Sequence, residues 1–181
     1  MRPLGLGWPN VVSIGRIALI PVVVLLVSAD RPETRWLALL VFAVGAVSDL
    51  ADGYLARRHS MTTSVGAWLD PLSDKLFVIV PALALTVQEE FPWWATAVIV
   101  LREMAVSLLR WRLDQRRVSM PASRAGKAKT LSQISAVGLS IAPLPPGFDP
   151  LVMTVVVIAV VLTVTSGLEY LFTDRHRMET G

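Results

Sequence analysis

Residues 48–75 read SDLADGYLARRHSMTTSVGAWLDPLSDK, and this stretch lies between two long apolar runs. It holds four aspartates: Asp49, Asp52, Asp70 and Asp74. Asp49 and Asp52 are three residues apart, Asp70 and Asp74 four, so on helices each pair occupies one face. The polar connection between them is short. The flanking helices are therefore expected to be antiparallel neighbours, with both acidic pairs at similar depth.

The surrounding chain is unusually apolar. Of its 181 residues 54% are hydrophobic, and the mean hydropathy is +0.58. Such a composition points to a polytopic membrane protein. Apolar segments fall at 15–29, 36–56, 66–87, 92–113, 128–143 and 150–172, with Pro32, Pro92, Pro145, Pro146 and Pro150 in the gaps. The expected fold is an all-α integral membrane protein, one domain over residues 1–181, with six transmembrane helices. A short interfacial N-terminal helix is expected before them, because LGWPNVVSIGR (6–16) offers Trp8 for an interface and Pro9 for a helix start. The run GRIALIPVVVLLVSAD (15–30) also resembles a signal peptide, but the interfacial helix leading into a first span fits these residues better.

Charge placement sets the orientation. The connections 30–35, 88–91 and 144–149 contain only Arg31 and Arg35 as basic residues. The opposite set contains Arg57, Arg58, Arg116, Arg117, Arg124, Lys127 and Lys129, and the tails add Arg2, Arg175 and Arg177. By the positive-inside rule, both termini and the aspartate loop face the cytoplasm of a cell membrane. The formal net charge of +3 is thus spread over segment ends, where it serves topology and anionic lipid or phosphate, not nucleic acid. Cysteine is absent, which excludes disulfides, iron–sulfur clusters and thiolate catalysis. The two histidines, His59 and His176, are poor material for a zinc site or a Ser-His-Asp triad. Abundant Val, Ala, Arg and Trp are compatible with a bacterium of high genomic GC content.

Four converging carboxylates repel one another, and each is costly at membrane depth. A hard divalent cation such as Mg²⁺ or Mn²⁺ resolves the conflict, since it favours oxygen ligands and bridges carboxylates to phosphate. Salt bridges to Arg57, Arg58 and Lys75 are the simpler reading of any one acid. Gly53 and Gly66 each remove a side chain beside an acidic pair, giving room for a ligand or for close helix packing. Arg57 has the reach for a phosphate and also suits a topology-setting charge.

The stretch as a whole reads D-x2-D-G-x2-A-R-x8-G-x3-D-x3-D from Asp49 to Asp74. It resembles the signature of the CDP-alcohol phosphotransferase family, whose members join a CDP-linked lipid or alcohol to a second alcohol and release CMP. The resemblance extends over nearly the whole chain. It implies that Asp49, Asp52 and Asp70, with Asp74 beside them, bind one or two divalent metals that engage the diphosphate. It further implies that Asp74 is the general base toward the attacking hydroxyl. Gly53, Arg57 and Gly66 would shape the nucleotide site and Thr63 would contact it. Asn10 opens NVVSIGR, which is similar to the family's first motif near the nucleotide. The family also implies a homodimer.

The second half bears on the acceptor. WWATAVIVLREMAVSLLRWRLDQRR (93–117) sets Arg102 and Glu103 inside an apolar run, about 15 Å along the helix from Pro92 for the arginine. An arginine there needs a partner or a polar cavity. Glu103 is expected to point about 100° away from it. Arg102, Arg110 and Lys127, with Lys129 nearby, suit a water-soluble acceptor carrying its own phosphate. They equally suit helix-holding pairs and lipid headgroups. REMAVSLLR, GKAKT and SGLEY resemble the branch of the family whose donor is CDP-diacylglycerol and whose acceptor is sn-glycerol 3-phosphate. That branch implies acceptor-phosphate roles for these cations. Phosphatidylglycerol (as in cardiolipin synthesis) or inositol phosphate are the alternative acceptors. A cation transporter using the four acids is the alternative of another class.

Overall fold

In the computed structural model the described residues are 8–59, 66–115 and 124–178; the side chains at 8–11, 49–59, 66–68, 70, 114, 124–125 and 170–178 lie outside the description. Six α-helices and no strand occur among them: α1 Trp8–Ser28, α2 Pro32–His59, α3 Gly66–Val87, α4 Trp93–Gln115, α5 Arg124–Ile141 and α6 Asp149–Met178. A single 3₁₀ turn, Pro146–Phe148, precedes α6. Each expected segment corresponds to one helix, overrunning it by two residues at most, at Ala29, Pro92 and Ala142 with Pro143. The helices outrun the apolar segments, α2 to His59 and α6 to Met178, because charged residues such as arginine and glutamate favour helix as well as apolar ones do.

One expectation is corrected. Trp8 to Ser28 runs as one helix, so no separate interfacial helix occurs over the described part of residues 6–16. Pro9 sits in the first turn, where its missing N–H costs nothing, and the helix also continues through Pro21. The chain forms two compact units, one of Met1–Glu90 with Ser140–Pro143, the other of Phe91–Leu139 with Leu144–Gly181.

In the first unit α1 packs against both α2 and α3. Its buried stripe is Ser13, Arg16, Ile20, Val23 and Val27, alternating steps of three and four residues along one face. From α2 come Ala38, Phe42 and Ala46; from α3 come Phe77, Val78, Ala82 and Leu85. Phe42 and Phe77 stack with ring centroids 4.9 Å apart and planes inclined by 2°. Gly45, the next turn of α2, leaves the space that the Phe77 ring occupies. At the opposite end Arg35, 5% exposed, joins three segments. Its guanidinium donates to Asp30 in the α1–α2 turn (3.3 Å), and to Gln88 (3.3 Å) and Glu90 (2.5 Å) after α3. Both turns use a left-handed residue that is not glycine, Asp30 (φ 48°) and Glu89 (φ 62°). Backbone bonds close them, such as Glu90 N–H to Leu85 C=O at 2.9 Å.

The second unit is held by polar contacts. Glu103 on α4 accepts from Lys129 Nζ on α5 (2.5 Å) and from its neighbour Arg102 Nη1 (3.0 Å). Arg102 Nη2 donates to Ser166 on α6 at 3.0 Å, and Gly167 leaves space for the arginine stem. Gln133 on α5 donates to Thr163 on α6 at 2.7 Å, both buried. The buried face of α6 is Val156, Ala159, Thr163 and Ser166.

Polarity is the reverse of a water-soluble bundle. Arg16, Arg35, Glu103, Lys129 and Gln133 are buried while Leu25, Leu40, Val47, Leu101, Val161 and many other large apolar residues are exposed. By length and composition one helix among the described residues, Pro146–Glu169, is apolar enough to cross a membrane, and Val12–Ser28 is a shorter apolar helix.

Two consequences are measurable as thermal midpoints in detergent. A methyl group at Gly45 would lie 2.6 Å from Cε2 of a Phe77 ring that Phe42 blocks from behind. Gly45→Ala is expected to cost about 1–3 kcal/mol, whereas Gly15→Ala, with nothing within 4 Å, leaves the midpoint unchanged or raises it. Glu103→Ala leaves Arg102 and Lys129 buried beside each other without their shared anion. A loss of about 3–5 kcal/mol is expected, and an unaltered midpoint would remove the carboxylate from the account of what holds this unit.

Candidate active site

The acidic cluster is placed by the register of α2 against α3. Arg35 reaches Gln88 and Glu90, Phe42 stacks on Phe77, and Gly45 faces Phe77, so the two helices run antiparallel. Asp49 and Asp52 lie four and seven residues beyond Gly45; Asp74 and Asp70 lie three and seven before Phe77. Continued over those two turns, the register sets the two acidic pairs level with one another. Asp49, Asp52, Gly53 and Arg57 are positions of α2, and Gly66 and Asp70 of α3, but their side chains lie outside the described residues. Asn10 is in the first turn of α1 with its side chain likewise outside, and Thr63 lies wholly outside.

Asp74 is the one motif aspartate whose side chain is described. It is 45% exposed and pairs with Arg16 on α1, which is 5% exposed. Arg16 Nη1 donates to Asp74 Oδ1 and, at 3.5 Å, to the fully buried Ser73 Oγ. Sequence reasoning missed both Arg16 and Ser73. Fifty-eight residues separate Arg16 from Asp74, and no local pattern links them. The polar end of the α1 stripe, Ser13 and Arg16 before Ile20, was the available signal.

The set at 49, 52, 70 and 74 consists of carboxylates alone, on two helices whose register brings them level. That donor chemistry fits a hard divalent cation and does not fit a soft one. No group of three His, Cys, Asp or Glu that could hold a metal occurs among the described residues, which exclude the side chains of three of these four aspartates.

Of the four candidate acceptor residues, the structure brings Arg102 and Lys129 together on Glu103. Arg110 and Lys127 are exposed, Arg110 two turns beyond Arg102 on α4 and Lys127 in the first turn of α5. Arg102 pairs with its neighbour Glu103, as the helix-holding reading expects. The 100° offset holds for the Cα–Cβ directions, and the long arginine stem spans it to a 3.0 Å contact. Ser166 and Gly167, part of SGLEY, now have a definite task in seating Arg102.

Comparison with known proteins follows this geometry. The family model described as CDP-alcohol phosphatidyltransferase matches residues 6–165, so it includes parts of both compact units. A CDP-diacylglycerol–glycerol-3-phosphate 3-phosphatidyltransferase of Pectobacterium atrosepticum is 36% identical over 173 residues, 93% of this chain and 94% of the relative. A protein of the same name from Rickettsia bellii is 37% identical over 131 residues, 72% of each chain. A probable phosphatidylglycerophosphate synthase of Mycobacterium tuberculosis is 34% identical over 164 residues, 89% of this chain and 78% of the relative. With the ordered aspartate motif intact and a match over most of its length, the chain belongs to the CDP-alcohol phosphatidyltransferase family.

Proposed function

We infer that the protein transfers the phosphatidyl group of CDP-diacylglycerol to the 1-hydroxyl of sn-glycerol 3-phosphate, giving phosphatidylglycerophosphate and CMP. The observation that carries this reading is the likeness to relatives named for that reaction, which reaches 93% of this chain. Motif positions Asp49, Asp52, Asp70 and Asp74 would hold one or two divalent ions. Bound there, Mg²⁺ or Mn²⁺ neutralises the donor diphosphate and the departing CMP.

The chain's own residues supply the rest. Asp74 accepts the proton of the acceptor hydroxyl. That oxygen bonds to the phosphorus carrying the diacylglycerol, and the bond from this phosphorus to CMP breaks. Phosphoryl transfer of this kind asks for alignment and charge stabilisation more than for a covalent intermediate. Asn10, Gly53, Arg57, Thr63 and Gly66 shape the nucleotide site. Arg110 and Lys127, exposed cations of the second unit, take the acceptor phosphate, with Arg102 and Lys129 behind them on Glu103.

We propose further that α1–α6 all cross the cell membrane, with both termini and the aspartates on the cytoplasmic side, in a homodimer. The two compact units together make up the one catalytic domain. Several helices carry charge, but among the described residues Arg16, Arg35, Glu103 and Lys129 are buried. Exposed Trp93 and Trp111 bracket about 27 Å of α4, close to the thickness of a bilayer core.

The decisive measurement is CMP release by purified protein given CDP-diacylglycerol, Mg²⁺ or Mn²⁺, and each acceptor alone. Release is expected with glycerol 3-phosphate and abolished by EDTA. Release with phosphatidylglycerol or inositol phosphate but not with glycerol 3-phosphate would reject the acceptor. Ion flux without CMP release would favour a transporter. Asp74→Asn is expected to remove nearly all turnover, leaving only a small residual CMP release, and to keep CDP-lipid binding, whereas Asp49→Ala and Asp70→Ala weaken metal-dependent donor binding. Arg110→Ala and Lys127→Ala should each raise KM for glycerol 3-phosphate about tenfold or more, as loss of a charge-assisted bond does.

A further inference from the structure

Arg16 has no part in the chemistry above, yet among the described residues it is a deeply buried charge in contact with the acidic motif. It stands nine residues into α1, 5% exposed, in the stripe that faces α3. Its guanidinium meets two consecutive residues of α3, donating to Ser73 Oγ and to Oδ1 of Asp74. Ser73 is fully buried, so it and the α1 packing fix where the arginine head lies. Asp74, by contrast, is 45% exposed. A buried cation on α1 thus contacts one oxygen of a half-exposed carboxylate on α3.

A proton acceptor of an alcohol must keep one orientation while the substrate arrives, and a displacement of about 1 Å costs about a hundredfold in rate. A carboxylate has two soft side-chain torsions and so several rotamers open to it. An arginine held on another helix removes that freedom. Its charge also offsets part of the cluster's negative potential without occupying a metal-ligand position of the motif. Both contacts leave one nitrogen, Nη1, so a lysine in its place would keep a charge there on a more flexible stem.

We propose that Arg16 is a positioning residue for Asp74, orienting the proton-accepting carboxylate of the transfer reaction. This rests on the reading of Asp74 as the base. It gives the last residue of NVVSIGR a role in proton transfer, separate from any nucleotide contact made by Asn10.

The test is steady-state kinetics on purified, folded variants, with KM measured separately for CDP-diacylglycerol and glycerol 3-phosphate. Arg16→Ala and the near-isosteric Arg16→Gln are expected to lower kcat about a hundredfold while changing either KM less than threefold. Arg16→Lys is expected to recover part of that loss, and it carries the test if the neutral variants do not fold. A structural role would instead lower the thermal midpoint with kcat per folded molecule retained. The residual CMP release of Asp74→Asn supplies the distinguishing arm. If Arg16 acts through Asp74, adding Arg16→Gln to Asp74→Asn leaves the residual rate unchanged. A further hundredfold fall in the double variant, an unchanged kcat in Arg16→Gln, or a rise confined to the CDP-lipid KM would each overturn the proposal. Full activity in Asp74→Asn would overturn the reading of Asp74 itself. That result is separable, because it requires no Arg16 variant.

Discussion

A charge that cannot reach water has to be answered inside the protein, and each compact unit is organised around such answers. Arg16 is answered by Ser73 and Asp74, Arg35 by Asp30, Gln88 and Glu90, and Lys129 with Arg102 by Glu103. Apolar burial contributes little specificity here, because the exposed faces are as apolar as the buried ones. What distinguishes one helix face from another is where its few polar groups must point. The stripes of Ser13 and Arg16 on α1 and of Thr163 and Ser166 on α6 turn inward for that reason.

The same rule links fold to chemistry. Unit one has α1 and α3 lying side by side, with α2 running against them. Its polar contacts therefore gather at the two ends, Arg35 with Asp30, Gln88 and Glu90 at one and Arg16 with Ser73 and Asp74 at the other, where the aspartate motif lies in the sequence. The middle of the unit is filled by Phe42, Phe77 and the gap at Gly45. That close packing fixes the register, and the register decides which carboxylates stand level. A substitution in the apolar middle thus acts on the polar end through helix alignment, with no contact to a reacting atom.

Much of this was legible in the sequence, because the signals were local. Helical periodicity joins Asp49 to Asp52 and Asp70 to Asp74, and apolar runs delimit six helices. The ends of the helices were less legible. An apolar run reports composition, and α2 and α6 continue past it with charged residues that favour helix as well. For the same reason the start of α1 did not separate as its own helix, since nothing between Trp8 and Arg16 stops one. Contacts between distant residues were illegible. Arg16 could be read as a topology charge or as part of an opening motif, but its pairing with Asp74 depends on how α1 docks. The neighbours Arg102 and Glu103 are the opposite case. Their angular offset was right for the backbone, yet side-chain reach decided the contact.

Arg35 ties together the turn after α1 and the turn after α3, and both turns are closed by left-handed residues and backbone hydrogen bonds. The three-helix unit is thereby tied by a buried guanidinium at each end, Arg35 here and Arg16 beside Asp74, so the helices cannot splay at either end without breaking a charged contact.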